Sequence, residues 1–313
     1  MNRAGIVVWV ASAAGCAGIR PIQQVTTIHE VEQQAAVSPP SPPLGATGPL
    51  DRGMASVVGG ASFAAVQGPV APSTGQQVAP LLGIGRLAGA VSQRVEFVAS
   101  GAGGPATGSL PGQAADDPDG LRGFVGWADT GMRVWAARGS NVQWGFSFDL
   151  GAEASVLRVT DRWVTETRVR GEGTSTTDTV TVSPDVTRVH PDLKLGTVVR
   201  VPVPQLPAHA VLGLQLETWP VYWSSASSTE SCVRFTFGDD RCRDAGGVPN
   251  ASSRLAGVFT PTLGASVVTG DVVVHVLGYA NLGGDVGERV PGGVVALVEL
   301  PFGGAPAALA DAD

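Results

Sequence analysis

Charge is scarce in this chain: Asp, Glu, Lys and Arg make up 15 % of its 313 residues, against roughly 25 % in ordinary soluble domains. The balance is acidic, −7 at pH 7. That excludes a nucleic-acid binder, which shows a basic stripe. Cysteine is limited to three residues and histidine to four. His29, His190, His209 and His275 are widely scattered, and none stands near the cysteines. No Gly-x-Ser-x-Gly, His-Glu-x-x-His or P-loop pattern occurs, so no enzyme class is indicated and no cofactor is expected. A Ser/His/Asp triad assembled by the fold is the one hydrolase route that sequence leaves open. The acidic run Asp116-Asp117-Pro118-Asp119-Gly120 lacks the twelve-residue calcium-loop pattern and reads as a solvated loop.

Glycine and proline are plentiful, at 43 and 23. With an apolar share of 43 %, they favour short strands and turns over helices. The clearest strand is Val142-Gln143-Trp144-Gly145-Phe146-Ser147-Phe148-Asp149, large apolar residues on one side and small or polar ones on the other. Tight turns such as Ser92-Gln93 alternate with long polar connections. Strands joined alternately by short and long connections are the pattern of a transmembrane β-barrel. The spacing predicts twelve segments between residues 54 and 302, in an antiparallel up-and-down barrel for which eight to twelve strands fit. Leu150-Gly151-Ala152-Glu153 and Thr160-Asp161 read as turns, and Asp129-Thr130-Gly131 as a bulge or turn. An even count puts both barrel ends on the periplasmic side, where a lipid anchor and tether belong. The alternative is a β-sandwich, motivated by Arg94, Glu96, Arg162, Glu166 and Arg168 inside proposed strands. Facing lipid at mid-bilayer, an Arg costs roughly 2–4 kcal/mol.

The N-terminus reads as a secretory signal over residues 1–15: Arg3, then an apolar stretch over 4–14 too short to cross a bilayer as a helix. Ala13-Ala14-Gly15-Cys16 follows and resembles the lipobox of bacterial lipoproteins, with Ala13 where leucine is usual. The resemblance implies cleavage before Cys16, lipidation of that cysteine and a Gram-negative envelope. Ala17, where an Asp would retain the protein in the inner membrane, implies the outer membrane. Ordinary cleavage near Ala14 or Ala17, or a buried Cys16, are the alternatives. Residues 16–53 read as a lipid-anchored tether: a weak polar helix over 23–37, then an extended spacer at Ser38-Pro39-Pro40-Ser41-Pro42-Pro43. Cys232 and Cys242, with nine residues between them, suit a disulfide in an oxidising compartment.

Phe302, preceded by Leu300, Val298, Ala296 and Val294, resembles the closing strand of outer-membrane barrels, although eleven residues follow it. The domain expectation is therefore signal 1–15, tether 16–53, barrel 54–302 and tail 303–313. The functional expectation is an outer-membrane barrel with a structural or interaction role. Its expected partners are outer-membrane lipids and an envelope protein or glycan. A tethered sandwich that binds a protein or carbohydrate is the alternative. Trp219, Tyr222 and Trp223 read as interfacial anchors or as the cap of a sandwich core.

Overall fold

The computed structural model describes residues 21–41, 47–65, 75–105, 121–224, 227–235, 239–247, 249–283 and 290–303. The expected signal peptide, Cys16, the acidic run at 116–120 and the tail beyond Gly303 lie outside the described residues. Among the described residues fifteen strands occur: β1 (Pro21–Val37), β2 (Ala55–Ala65), β3 (Gly75–Val78), β4 (Leu81–Ala90), β5 (Val95–Pro105), β6 (Phe124–Arg138), β7 (Gln143–Val169), β8 (Gly173–Val182), β9 (Val186–Pro202), β10 (Ala208–Ser224), β11 (Ser228–Phe235), β12 (Arg241–Asp244), β13 (Ala251–Thr269), β14 (Val272–Ala280) and β15 (Gly292–Phe302). They fall in two compact units.

The larger unit comprises Val31–Asp161, Thr181–Ser225 and Asn250–Asp313. In it ten strands follow one another around a ring, β2-β4-β5-β6-β7-β9-β10-β13-β14-β15, with β15 returning to β2. Every pairing is antiparallel. Such a ring is an up-and-down barrel without a free edge, and it replaces the sandwich alternative. Turns at 91–94, 139–142, 203–207 and 270–271, with the barrel ends Ala55 and Phe302, mark one rim. The five long connections leave from the other.

Ten strands stand where twelve were expected, because three expected segments are one. β7 runs 27 residues without a turn, and Asp149, Gly151 and Glu153 pair with β9 in unbroken register. β6 likewise keeps phase through Asp129-Thr130-Gly131, and its irregularity comes later, between Trp135 and Ala137. Gly131 and Gly151 permit close approach of β6 and β7. A Cβ on Gly151 would lie 2.2 Å from the Ala128 carbonyl oxygen, and one on Gly131 would lie 2.2 Å from that of Phe148.

The barrel strands carry apolar residues outward, where a soluble protein would be polar, while the inward row mixes apolar residues such as Ile84, Leu277 and Leu297 with charged ones. Outward positions are apolar or small: Trp144, Phe146, Phe148 and Leu150 on β7; Leu212 and Leu216 on β10; Phe259 and Leu263 on β13; Val294, Val298, Leu300 and Phe302 on β15. No outward position of β2, β4, β5 or β15, nor of β7 between 144 and 154, carries a charge. At about 3.3 Å per residue and a tilt near 40°, that stretch of β7 rises roughly 25–30 Å. Phe97, Trp144 and Phe302 lie toward the turn rim and Phe63, Phe124 and Phe259 toward the loop rim. Outward aromatic residues thus stand near both rims, with Phe146 and Phe148 between them. Trp219 and Tyr222 instead point inward and are buried.

The smaller unit comprises Met1–Glu30, Arg162–Val180 and Ala226–Pro249. Its described part holds the first half of β1, the end of β7, most of β8, and β11 with β12. Residues 21–29 form a strand rather than the expected helix and pair with β11. Cys232 and Cys242 face each other across β11 and β12 and are joined by a disulfide. Arg162 bonds Asp178 (2.7 Å) and lies 3.6 Å from Glu30, so its charge is paired within this unit. His29 stacks on Trp163 at 3.7 Å between ring centroids.

Candidate functional site in the barrel lumen

The interior wall concentrates the charge that the outside lacks. Among the described residues, seven carboxyls (Glu96, Asp129, Asp149, Glu153, Asp192, Glu217, Glu299) and four cations (Arg86, Arg133, Lys194, Arg200) point inward. Each occupies a position of a strand whose neighbours on either side face outward, so the period of two places it. Burying unpaired charge costs several kcal/mol per ion, and the lumen pairs it. The Lys194 ammonium contacts the Asp129 carboxylate, bonds Asp192 at 2.8 Å and lies 3.6 Å above the Trp127 ring. Arg133 lies 3.7 Å from Glu96 and 5.5 Å from the Trp135 ring.

The lumen is occupied by the chain itself. Residues 31–41 and 47–54, expected as part of a free spacer, run along the interior. At the loop rim, β1 and β3 form a short parallel pair over 34–37 and 75–78. Ala35, Val37 and Val78 pack there with Trp219, Tyr222 and Val290. Gln76 locks this end: its amide donates to the Pro220 carbonyl and accepts from the Tyr222 N–H, both at 3.0 Å.

Below this, wall side chains grip the backbone. Trp219 donates to the Ser38 carbonyl (2.8 Å), and the Ser38 hydroxyl donates to Glu153 (2.5 Å). Glu217 accepts the Ser41 N–H at 2.7 Å and also the Ser41 hydroxyl, while Gln215 donates to the Ser41 carbonyl at 3.0 Å. Further along, Arg86 and Arg133 donate to the Thr47 hydroxyl at 3.0 and 2.9 Å. Glu96 accepts the Leu50 N–H and the Trp135 indole N–H, each at 2.7 Å. Arg138 donates to the Leu50 carbonyl at 3.0 Å. The segment reaches the turn rim where Gly53 donates to the Ala90 carbonyl (3.1 Å) and Ala90 to that of Met54 (2.9 Å). A cavity of about 20 Å³, bordered by Ser41, Asp129, Asp149 and Lys194, has room for about one water.

No protein-family model matches this chain, and no curated protein matches it. The chain shows a low likeness to several solved structures, three of which follow. The outer membrane protease OmpT from Escherichia coli aligns at 12 % identity over 92 % of this chain and 99 % of its own, with a TM-score of 0.33. The transport unit of the autotransporter AIDA-I from Escherichia coli aligns at 9 % identity over 82 % and 91 %, with a TM-score of 0.21. A deletion mutant of the TodX monoaromatic hydrocarbon channel aligns at 7 % identity over 90 % and 89 %, with a TM-score of 0.18. At these values the likenesses carry no functional argument. The barrel stands on its own strand pairing.

One constellation has the elements of a hydrolase triad. Ser266 bonds His275 Nδ1 at 2.7 Å, and His275 Nε2 lies 3.1 Å from Glu299. The array is sealed, however: Ser266 and His275 are 0 % exposed, and the cavity does not reach Ser266. A nucleophile needs space for a carbonyl beside its oxygen, so this arrangement ties β13, β14 and β15 together. The other histidines do not join it. His190 bonds the Tyr222 hydroxyl, His209 opens β10 beside the 203–207 turn, and His29 belongs to the smaller unit. Sequence reasoning missed the gripping residues because their partners lie as many as 181 positions away.

Proposed function

We propose that this protein is an integral outer-membrane β-barrel of a Gram-negative envelope. In this reading it has a lipid-modified Cys16, short turns toward the periplasm and a structural or interaction role. The observation that carries the reading is the pairing of an apolar outer wall with a charged interior in a closed ring. In water such a wall would be an aggregation surface. In lipid it is the surface the bilayer requires. The filled lumen supports a role other than bulk transport, with envelope lipids around the barrel and a protein or glycan as partner. The test is urea extraction of purified outer membranes from cells making the Cys16→Ser protein. Retention, with a compact band that slows on boiling, is expected. Release into the soluble fraction with no heat-dependent shift would overturn the barrel assignment. Palmitate incorporation should be lost in the same variant; its persistence would remove the lipid assignment alone.

A further inference from the structure

We infer that this barrel carries its own N-terminal region across the membrane, so that residues 21–30 are displayed on the cell surface. The inference rests on the membrane orientation proposed above and on the direction in which the segment runs. Both barrel ends, Ala55 and Phe302, lie at the turn rim. From Ala55 the chain does not stay there. Going toward the N-terminus, it passes Leu50 beside Glu96, Thr47 beside Arg133, Ser41 beside Glu217 and Ser38 beside Glu153.

Strand registers put these wall residues in ascending order. Glu96 lies at the start of β5, next to the 91–94 turn. Glu217 pairs with Lys194 and Glu153 with His190, progressively farther from the turns. The segment ends between Tyr222 and Val290, the latter in the long connection before β15. Val31 is thus on the loop side. The same side is indicated independently by β1, whose residues 21–29 pair with β11, a strand of the long connection between β10 and β13. Short turns face the periplasm in outer-membrane barrels and long loops the exterior. Residues 21–30 then belong to the exterior.

The wall is built to hold a polypeptide in transit. Its hydrogen bonds go largely to main-chain groups: the carbonyls of Ser38, Ser41, Thr47 and Leu50 and the N–H groups of Ser41 and Leu50. In a low-dielectric bore an extended chain brings unpaired main-chain donors and acceptors that must be satisfied. Inward carboxylates, guanidinium groups, the Trp219 indole and the Gln215 amide satisfy them.

The test is surface labelling of full-length protein in intact cells with a polyethylene-glycol maleimide too large to pass porins. Three single substitutions are compared: Gln24→Cys on β1, Glu172→Cys in the β7–β8 turn, and Gln93→Cys in the β4–β5 turn. Each protein must show the heat-dependent band shift, which isolates this test from failure of the barrel assignment. Labelling of Gln24→Cys and Glu172→Cys but not Gln93→Cys is expected, with Gln93→Cys reacting only after the envelope is opened. Protection of Gln24→Cys while Glu172→Cys reacts would overturn the display. Labelling of Gln93→Cys alone would reverse the orientation and overturn it as well.

Discussion

At the scale of single residues, Glu217 holds the segment most tightly, since it accepts from both the main chain and the hydroxyl of Ser41. Replacing it with alanine strands a buried N–H and a buried hydroxyl, each worth about 1–3 kcal/mol when left unmade. The expected outcome for Glu217→Ala is a lower urea midpoint for loss of the compact band. Trp219→Phe removes one donor and should cost about 1 kcal/mol, so it should shift the midpoint less. The sealed Ser266–His275–Glu299 array makes an opposite kind of prediction. A fluorophosphonate probe should leave the native protein unlabelled, and heat-sensitive labelling lost in Ser266→Ala would establish a hydrolase instead. These contacts were illegible in the sequence for a definite reason. Ser38-Pro39-Pro40-Ser41 has the composition of a spacer, and its partners are brought to it only by closure of the barrel.

At the scale of elements, the outward face of a barrel strand is tested by charge. Leu263 stands outward near the middle of the apolar outer row of β13 and pairs with Leu212. Leu263→Arg should destabilise the protein in phospholipid vesicles by roughly 2–4 kcal/mol, whereas Leu206→Arg in the 203–207 turn should lie near zero. Equal urea midpoints for the two would argue against a lipid-facing wall. In the β7–β8 ribbon, hydrogen bonds from Arg162 hold the Asp178 carboxyl below its ordinary value. The pair's contribution is then complete above the unfolded carboxylate value of about 3.9 and is lost as pH falls through the lower folded value. A carboxyl NMR titration of Asp178 should show a midpoint below that of Asp178 in the Arg162→Ala protein. Strand alternation, the turns at 91–94, 139–142 and 270–271 and the outward set ending at Phe302 were all legible, because an outward apolar row has period two whichever solvent it meets. The length of β7 was not. Asp149, Gly151 and Glu153 have the composition of a turn, yet they are what the interior wall of a charged lumen requires. The sequence rhythm failed at Leu150-Gly151-Ala152-Glu153 and at Thr160-Asp161, where β7 runs on without the expected turns.

At the scale of the whole molecule, the disulfide and the barrel are expected to be separable. Cys232 and Cys242 close a short loop inside the smaller unit, worth about 3 kcal/mol at most. The double Cys→Ser protein should keep its heat-dependent band shift while residues 226–249 become sensitive to protease. Loss of the band shift would mean that the barrel depends on the ribbon. The arrangement of the larger unit also constrains how the molecule can be made. A closed ring cannot be threaded from the side, and the contacts that fix the segment join residues up to 181 positions apart. The β15–β2 seam must therefore shut around a strand already lying within it, or the N-terminus must be drawn through a finished bore. Either order makes the final event slow, as non-local contacts do. It also makes the folded molecule a topological snare, from which the segment leaves only by sliding lengthwise or by parting of the seam.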